Sequence, residues 1–265
     1  MGRPDCARDD EDQLRQALVE AGRRVHAAGF VAAADGNLSV RLGEHLLLAT
    51  PTGAAKGRLT PGELVKTDLQ GQVLGPGRPS SELRLHLLLY QSRPDVRAAI
   101  HAHPPHAVAL SLAGLGLAGC LLPETILSLG TVPTAPYATP TTEEVPASVQ
   151  GLLQGCNALI LARHGTLTFG EDLEQAFLRL EGLEHAARIT CLARAMGPLE
   201  PLGHAQVARL EELGRRLGVP VAPGSCTACG TCASPLGEIG GSEEQRLVET
   251  IVRRVLARLP QSVGS

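Results

Sequence analysis

Val96-Arg97-Ala98-Ala99-Ile100-His101-Ala102-His103-Pro104-Pro105 is the stretch on which the reading of this chain turns. A short apolar run closed by two prolines reads as a buried strand that stops at a fixed point. Successive side chains of a strand leave on opposite faces, so His101 and His103 project to the same side. Imidazole is the commonest protein ligand for zinc, and a catalytic site takes three protein ligands and leaves one position open. The pair therefore predicts a metal site with a third ligand elsewhere in the chain. His164 stands at the end of a second apolar run, Ala158 to Ala162, and Glu82 lies in Ser80-Ser81-Glu82-Leu83. These two complete the candidate centre.

Upstream, apolar residues every three or four positions predict an amphipathic helix over Gln13–Ala28. His26 on it reads as a structural histidine. A turn at Asp35-Gly36-Asn37 enters a strand through Leu42, and a second strand, Leu46–Ala49, runs into Thr50-Pro51-Thr52-Gly53. Together the two turns offer backbone N–H groups, an amide and a hydroxyl, a combination that holds an oxyanion such as phosphate. A short helical turn at Thr60-Pro61-Gly62 leads to a strand ending at Asp68. Ser80, Ser81 and Glu82 open a helix through Ser92, and a helix N-terminus is itself an anion seat.

Downstream, the pattern predicts a helix over His106–Leu112, a strand around Gly130–Val132 and a helix over Val145–Leu153. Strand Ala158–Ala162 follows, and Gly165–Gly170 reads as a turn into a long helix, Leu173–Met196. Its packing stripe is Ala176, Phe177, Leu180, Leu183, Ala187 and Leu192. A polar helix spans His204–Leu217. Helices alternating with short strands make this an α/β fold with helices flanking a sheet.

A length of 265 residues allows one good-sized core and one to two domains. The formal net charge is −3, the aromatic content is 2% and tryptophan is absent, so neither a basic surface nor stacking side chains suit a nucleic acid. Asp9, Asp10, Glu11 and Asp12 stand where a secretory signal would be basic and then apolar. No run approaches the roughly 18 apolar residues of a membrane span. A cytoplasmic protein is expected. Of the seven cysteines, Cys6, Cys120, Cys156 and Cys191 are single and read as buried or inert thiols. Cys226, Cys229 and Cys232 share a Cys-x-x-Cys-x-x-Cys spacing that suits an iron-sulfur cluster or a second zinc but is one ligand short. The competing reading is a set of linker thiols.

Gly36-Asn37-Leu38-Ser39, Pro51-Thr52-Gly53, Ser80-Ser81-Glu82, His101-Ala102-His103-Pro104, Pro136-Tyr137-Ala138 and Arg163-His164-Gly165, in this order, resemble the class II aldolase/adducin family over about Gln13–Met196. Within it, the pattern is similar to that of the fuculose-phosphate aldolases. The resemblance implies a three-layer α/β/α sandwich, a homotetramer with sites between subunits, and one Zn2+ held by His101, His103 and His164. It further implies that Gly36, Asn37, Thr52, Gly53, Ser80 and Ser81 bind the substrate phosphate. Glu82 would be a movable metal ligand and acid/base, and Tyr137 would serve a neighbouring site. The implied reaction is cleavage of a deoxyketose 1-phosphate to dihydroxyacetone phosphate and a short aldehyde such as lactaldehyde. Decarboxylation, dehydration or epimerisation on the same scaffold, and an adducin-like interaction protein with a vestigial site, are the alternatives. Glu82, where epimerase-like relatives tend to carry Asp, favours carbon–carbon cleavage. The family's C-terminal tyrosine has no counterpart, because no tyrosine follows Tyr137.

Three segments are expected: a catalytic domain over 1–218, a Cys/Gly/Pro-rich linker over 219–241 and an amphipathic helix over 242–265. The helix opens on a capping-box pattern, Ser242-Glu243-Glu244-Gln245. It carries Leu247, Val248, Ile251, Val252, Val255, Leu256 and Leu259 as one stripe. A lone helix of about 17 residues is marginal in water, so the stripe calls for a partner. The tail resembles the encapsulation peptides of bacterial microcompartments, which implies a shell protein as that partner. Folding back on its own tetramer is one alternative, and membrane attachment is another, disfavoured by a nearly charge-balanced polar face without Trp or Phe.

Overall fold

The computed structural model describes residues 11–117 and 119–217. Cys6, the cluster Cys226, Cys229 and Cys232, and the stripe Leu247–Leu259 lie outside the described residues. Within them, β1 (Asn37–Leu42), β2 (Leu46–Ala49), β3 (Val65–Asp68), β4 (Ala98–Ala102), β5 (Thr134–Ala135), β6 (Ala158–Leu161) and β7 (Gly165–Gly170) form one sheet. Its order is β3-β2-β1-β4-β7-β6-β5. Every neighbouring pair is antiparallel except β5 with β6.

Helices cover both faces, as a three-layer α/β/α sandwich requires. They are α1 (Glu11–Ala27), α2 (Leu83–Ser92), α3 (Pro105–Leu112), α4 (Pro123–Ser128), α5 (Glu144–Val149), α6 (Leu173–Met196) and α7 (His204–Arg216). Strand alternation sorts the core. Ala98, Ile100 and Ala102 of β4 pack with α1 and the start of α6, while Ala99 joins Leu159, Leu161, Leu167 and Phe169 beneath α2 and α5. Farther along α6, Leu183, Ala186 and Ala187 meet α3 and the other face of β6. His101 therefore leaves β4 on the side of α2, where Glu82 caps that helix.

Several expectations need correction. Gly165–Gly170, read as a turn, is the strand β7, and it is central: it pairs with β4 from Ala102↔Thr166 to Ala98↔Gly170 and with β6 on its other edge. Thr166 and Thr168 alternate with Leu167 and Phe169 in it, and all four are fully buried. The strand placed at Gly130–Val132 lies instead at Thr134–Ala135, because the unforeseen α4 uses the residues before it. Leu192, assigned to the packing stripe of α6, is 59% exposed. Cys120, read as an inert thiol, is buried and disulfide-bonded.

Beneath the sheet, a polar chain runs through the apolar layer. Tyr90 Oη donates to Ser39 O at 3.0 Å, Ser39 Oγ lies 2.8 Å from Tyr90 Oη and 2.6 Å from His86 Nδ1. These contacts tie the imidazole and the two hydroxyls into one buried chain. His86 is fully buried, and burial pushes its pKa down to about 3. The unfolded value is near 6.5, so the unfolded chain binds the extra proton between these limits. His86 therefore adds stability that is complete above about pH 6.5 and is lost as pH falls toward 3, on the order of 4 kcal/mol across that window. Urea denaturation of the chelated protein from about pH 7 to pH 4 should show this slope. His86→Gln should shrink it, and equal slopes in the two proteins would refute the assignment.

Candidate active site

Three neighbouring strands build the site. Asn37 of β1 pairs with His101 of β4, and β7, which begins at Gly165, flanks β4 on its other edge. His103 follows β4 directly, its N–H donating to Phe30 O at 2.8 Å. His164 ends a tight link from β6 to β7 in which Arg163 takes the left-handed backbone at φ 62°. Ser111 Oγ accepts the Arg163 N–H at 2.9 Å, and the His164 N–H bonds to Leu161 O at 3.0 Å. Buried Glu184 of α6 accepts from the N–H groups of His106 and Ala107 at 2.9 and 3.0 Å, which fixes the first turn of α3 just beyond His103.

The three imidazoles converge. Ring centroids of His101, His103 and His164 lie 4.8 to 5.0 Å apart, and one ligand nitrogen from each falls within 4.8 Å of the others. Nitrogens about 2.1 Å from a tetrahedral zinc stand about 3.4 Å from one another, so small side-chain shifts seat a cation here. His101 Nδ1–H donates to Thr166 O at 2.9 Å, which turns Nε2 inward. That nitrogen lies 3.1 Å from His103 Nε2 and 3.2 Å from Glu82 Oε2. Glu82 Oε1 lies 3.2 Å from His164 Nε2 but is aligned with no donor, and it is a buried oxygen without a hydrogen bond. Electron-pair donors crowded in this way repel unless a shared cation satisfies them, so the residues fit a divalent metal.

The local charges agree with that use. Burial raises the pKa of Glu82, but imidazoles that carry a proton toward it at His101 and His164 outweigh burial and hold the carboxyl far below its usual range, the pull that a bound cation would exert in their place. Burial and the neighbouring His101 and His164 lower the pKa of His103 to about 4, so the ring is a neutral donor near pH 7. Asp35 Oδ2 stands 3.7 Å from His103 Nδ1.

A model of the class II aldolase and adducin N-terminal domain matches residues 16–191. The chain belongs to this family. The 3-oxo-tetronate 4-phosphate decarboxylase of Escherichia coli strain K12 is 34% identical over 183 residues, 68% of this chain and 86% of that protein. The 5-methylthioribulose-1-phosphate/5-deoxyribulose-1-phosphate aldolase of Rhodospirillum rubrum is 34% identical over 163 residues, 62% of this chain and 73% of that protein. A solved structure of an L-fuculose 1-phosphate aldolase superposes with TM-score 0.70 at 30% identity, covering 77% of this chain and 96% of its own.

In this class II aldolase family member, the turns read as a phosphate seat adjoin one another. Pro51 forms a bridge with Pro79, Ser80 N–H donates to Thr50 O, and Thr50 N–H donates to Leu38 O. Thr52, Gly53, Ser80 and Ser81 are thereby held next to the strand that carries Asn37. Gly36 has φ 71°, and a Cβ there would lie 2.7 Å from His101 O, so only glycine allows β1 this close to the histidine strand. Asn37 Nδ2 donates to Glu82 Oε2 at 3.1 Å, a role as partner of the carboxylate that the sequence reading missed. Asp35 was missed too, although it adjoins the Gly-Asn turn. Tyr137 is 61% exposed, just beyond β5.

Gly165 gives a direct test of this packing. A Cβ on it would lie 2.4 Å from Ala102 O, 2.6 Å from His103 Cδ2 and 3.1 Å from His101 Cε1. Gly165→Ala should push β7 from β4 and weaken binding of a divalent cation about tenfold or more, read by competition with a chromophoric chelator. Unchanged affinity would show that the imidazoles do not depend on this contact.

Proposed function

We propose that this protein is a zinc-dependent carbon–carbon lyase acting on a small phosphorylated keto sugar acid or keto sugar. The observation that carries the reading is the convergence of three imidazoles and the Glu82 carboxylate beside the two turns around Thr50. Three nitrogen ligands with an open position suit zinc, which when bound supplies positive charge to the oxygens flanking the breaking bond. Glu82 is the residue in place to hold or return a proton at the carbon left behind, and Asn37 keeps its carboxylate oriented. Gly36, Asn37, Thr52, Gly53, Ser80 and Ser81 are read as the phosphate seat.

Decarboxylation of a 3-oxo-tetronate 4-phosphate-like acid is the first assignment, supported by the similarity to the Escherichia coli decarboxylase. The bond to the carboxylate breaks, carbon dioxide departs, the electron pair stays on the carbon beside the carbonyl, and that carbon takes up a proton. The product is dihydroxyacetone phosphate. Aldol cleavage of a deoxyketose 1-phosphate is the second, supported by the similarity to the Rhodospirillum rubrum aldolase. It leaves the same three-carbon phosphate but also needs a group to take the hydroxyl proton of the departing aldehyde. Tyr137 is exposed and no tyrosine follows it, so within one protomer the demand of decarboxylation is the easier to meet. We read Tyr137 as serving the site of a neighbouring subunit in a homotetramer, and Leu247–Leu259 as a segment that docks on a microcompartment shell protein.

Purified protein, with and without chelator, should release carbon dioxide and dihydroxyacetone phosphate from 3-oxo-tetronate 4-phosphate. Activity should vanish on chelation and return with zinc. Dihydroxyacetone phosphate from fuculose or 5-deoxyribulose 1-phosphate, without carbon dioxide from the acid, would select the aldolase instead. Product from none of them would refute the lyase reading. Glu82→Gln should lower kcat about 100-fold or more while zinc stays at one per chain, because the imidazoles remain. Retained turnover would remove Glu82 from the proton path.

A further inference from the structure

Lys56 is one of only two lysines in a chain that otherwise uses arginine, and it is 1% exposed. A lysine usually keeps its ammonium in water even where its stem is buried, and a fully buried one is expected to be paired. The other lysine, Lys66, is paired with Glu11. Lys56 has no carboxylate within 4 Å among the described residues. Its Nζ instead donates to Ala34 O and to Ala54 O, each at 2.7 Å.

Those two carbonyls belong to the two turns in question. Ala34 precedes Asp35-Gly36-Asn37, and Ala54 follows Thr52-Gly53. Ala33, next to Ala34, holds the left-handed backbone at φ 47°, and Gly53 does so at φ 70°. α1 closes the lysine from the other side: a Cβ on Gly22 would lie 2.9 Å from Lys56 O, so helix and turn touch backbone to backbone. A buried positive charge with no carboxylate in contact is costly unless it is neutralised when the protein works.

We propose that Lys56 is a positioning residue of the phosphate seat, its ammonium tying the Ala34 and Ala54 carbonyls behind the two turns and supplying the positive charge that a substrate phosphate dianion offsets. The inference rests on the sugar-phosphate reading above. It goes beyond that reading by assigning the counter-charge to a residue that no motif marks. Lysine suits the role better than arginine, since a compact ammonium fits between two carbonyls where a planar fork does not. Burial lowers its pKa to about 8, against the opposing pull of Asp35 and Glu82. The charged groups facing it are therefore Asp35 before β1 and Glu82 at the start of α2, with Arg58 on its own turn and His26 of α1 over Gly57.

Inorganic phosphate is the probe. Lys56→Met should weaken phosphate binding to the zinc-loaded protein about tenfold or more by calorimetry, raise KM for the sugar phosphate more than it lowers kcat, and leave zinc affinity unaltered. Proton uptake on phosphate binding is a further readout that a strut without an electrostatic role would not produce, and it uses the wild-type protein and so does not depend on the variant folding. Near pH 8.5, where phosphate is already the dianion, its binding should take up protons, measured as a buffer-dependent heat. The uptake should fade toward pH 7, where the lysine is charged beforehand. Phosphate bound equally well by a folded Lys56→Met, or bound with no proton uptake near pH 8.5, overturns the role of Lys56 alone. A wild-type protein that does not bind phosphate at all overturns the sugar-phosphate reading and this inference with it.

Discussion

The site depends on how closely three strands approach one another. β1, β4 and β7 lie side by side, and two glycines permit the contact: Gly36 on one flank of His101 and Gly165 on the other. Interiors are close-packed, so a methyl group at either place displaces backbone or an imidazole. Given that approach, the rest of the geometry follows. His101 is oriented by a carbonyl of β7, Glu82 reaches it from the cap of α2, and His164 arrives through a link whose strained residue is held by α3. The elements are rigid and the ligands sit at their ends, an arrangement that sets side chains without committing loops to the task.

Two kinds of burial meet around this centre, and they differ in what they ask of solvent and ligand. The Ser39–His86–Tyr90 chain pairs its hydroxyls internally and leaves only His86 Nε2 without a partner, and the buried imidazole is neutral, so it asks for no counter-charge. Arg41 beneath the same layer is satisfied by backbone carbonyls of Val96, Glu44 and, in a short contact, Tyr90. The histidine and carboxylate cluster is the opposite case. Its inward atoms are acceptors facing acceptors, and Glu82 Oε1 is left with nothing to accept. A single unpaired nitrogen within a core costs stability, whereas several acceptors crowded around one point mark the place where a cation binds.

Much of this was legible in the sequence, for identifiable reasons. His101 and His103 could be placed because the period of a strand is two, and α1 and α6 because an apolar stripe repeats every three to four residues. Glu82 and His164 stood at the ends of clear elements. β7 was not legible: Gly165-Thr166-Leu167-Thr168-Phe169-Gly170 is bounded by glycines, and its threonines look like loop residues until the neighbouring strands bury them on both faces. Asn37 was seen as an anion ligand because its position beside Glu82 exists only after β1 and α2 pack. Lys56 carried no local signal. Its meaning comes from being enclosed by Ala34, Ala54 and α1, contacts made across the fold.

The relatives at 34% identity carry different activities, a decarboxylase in one and an aldolase in the other. Chemistry explains why one scaffold accommodates both. In each reaction a carbon–carbon bond beside a carbonyl breaks and its electrons remain on a three-carbon phosphate. In the proposed reading the cation, the phosphate seat and Glu82 serve that retained half, while the departing half decides which name applies. Carbon dioxide leaves without asking for a proton transfer, and an aldehyde does not. The groups that tell the two apart must therefore lie on the side of the site away from Thr50 and its turns. In this chain Tyr137, proposed above for that half, is exposed. Specificity within the family is then a property of the surroundings of the departing fragment, and the histidine centre alone does not encode it.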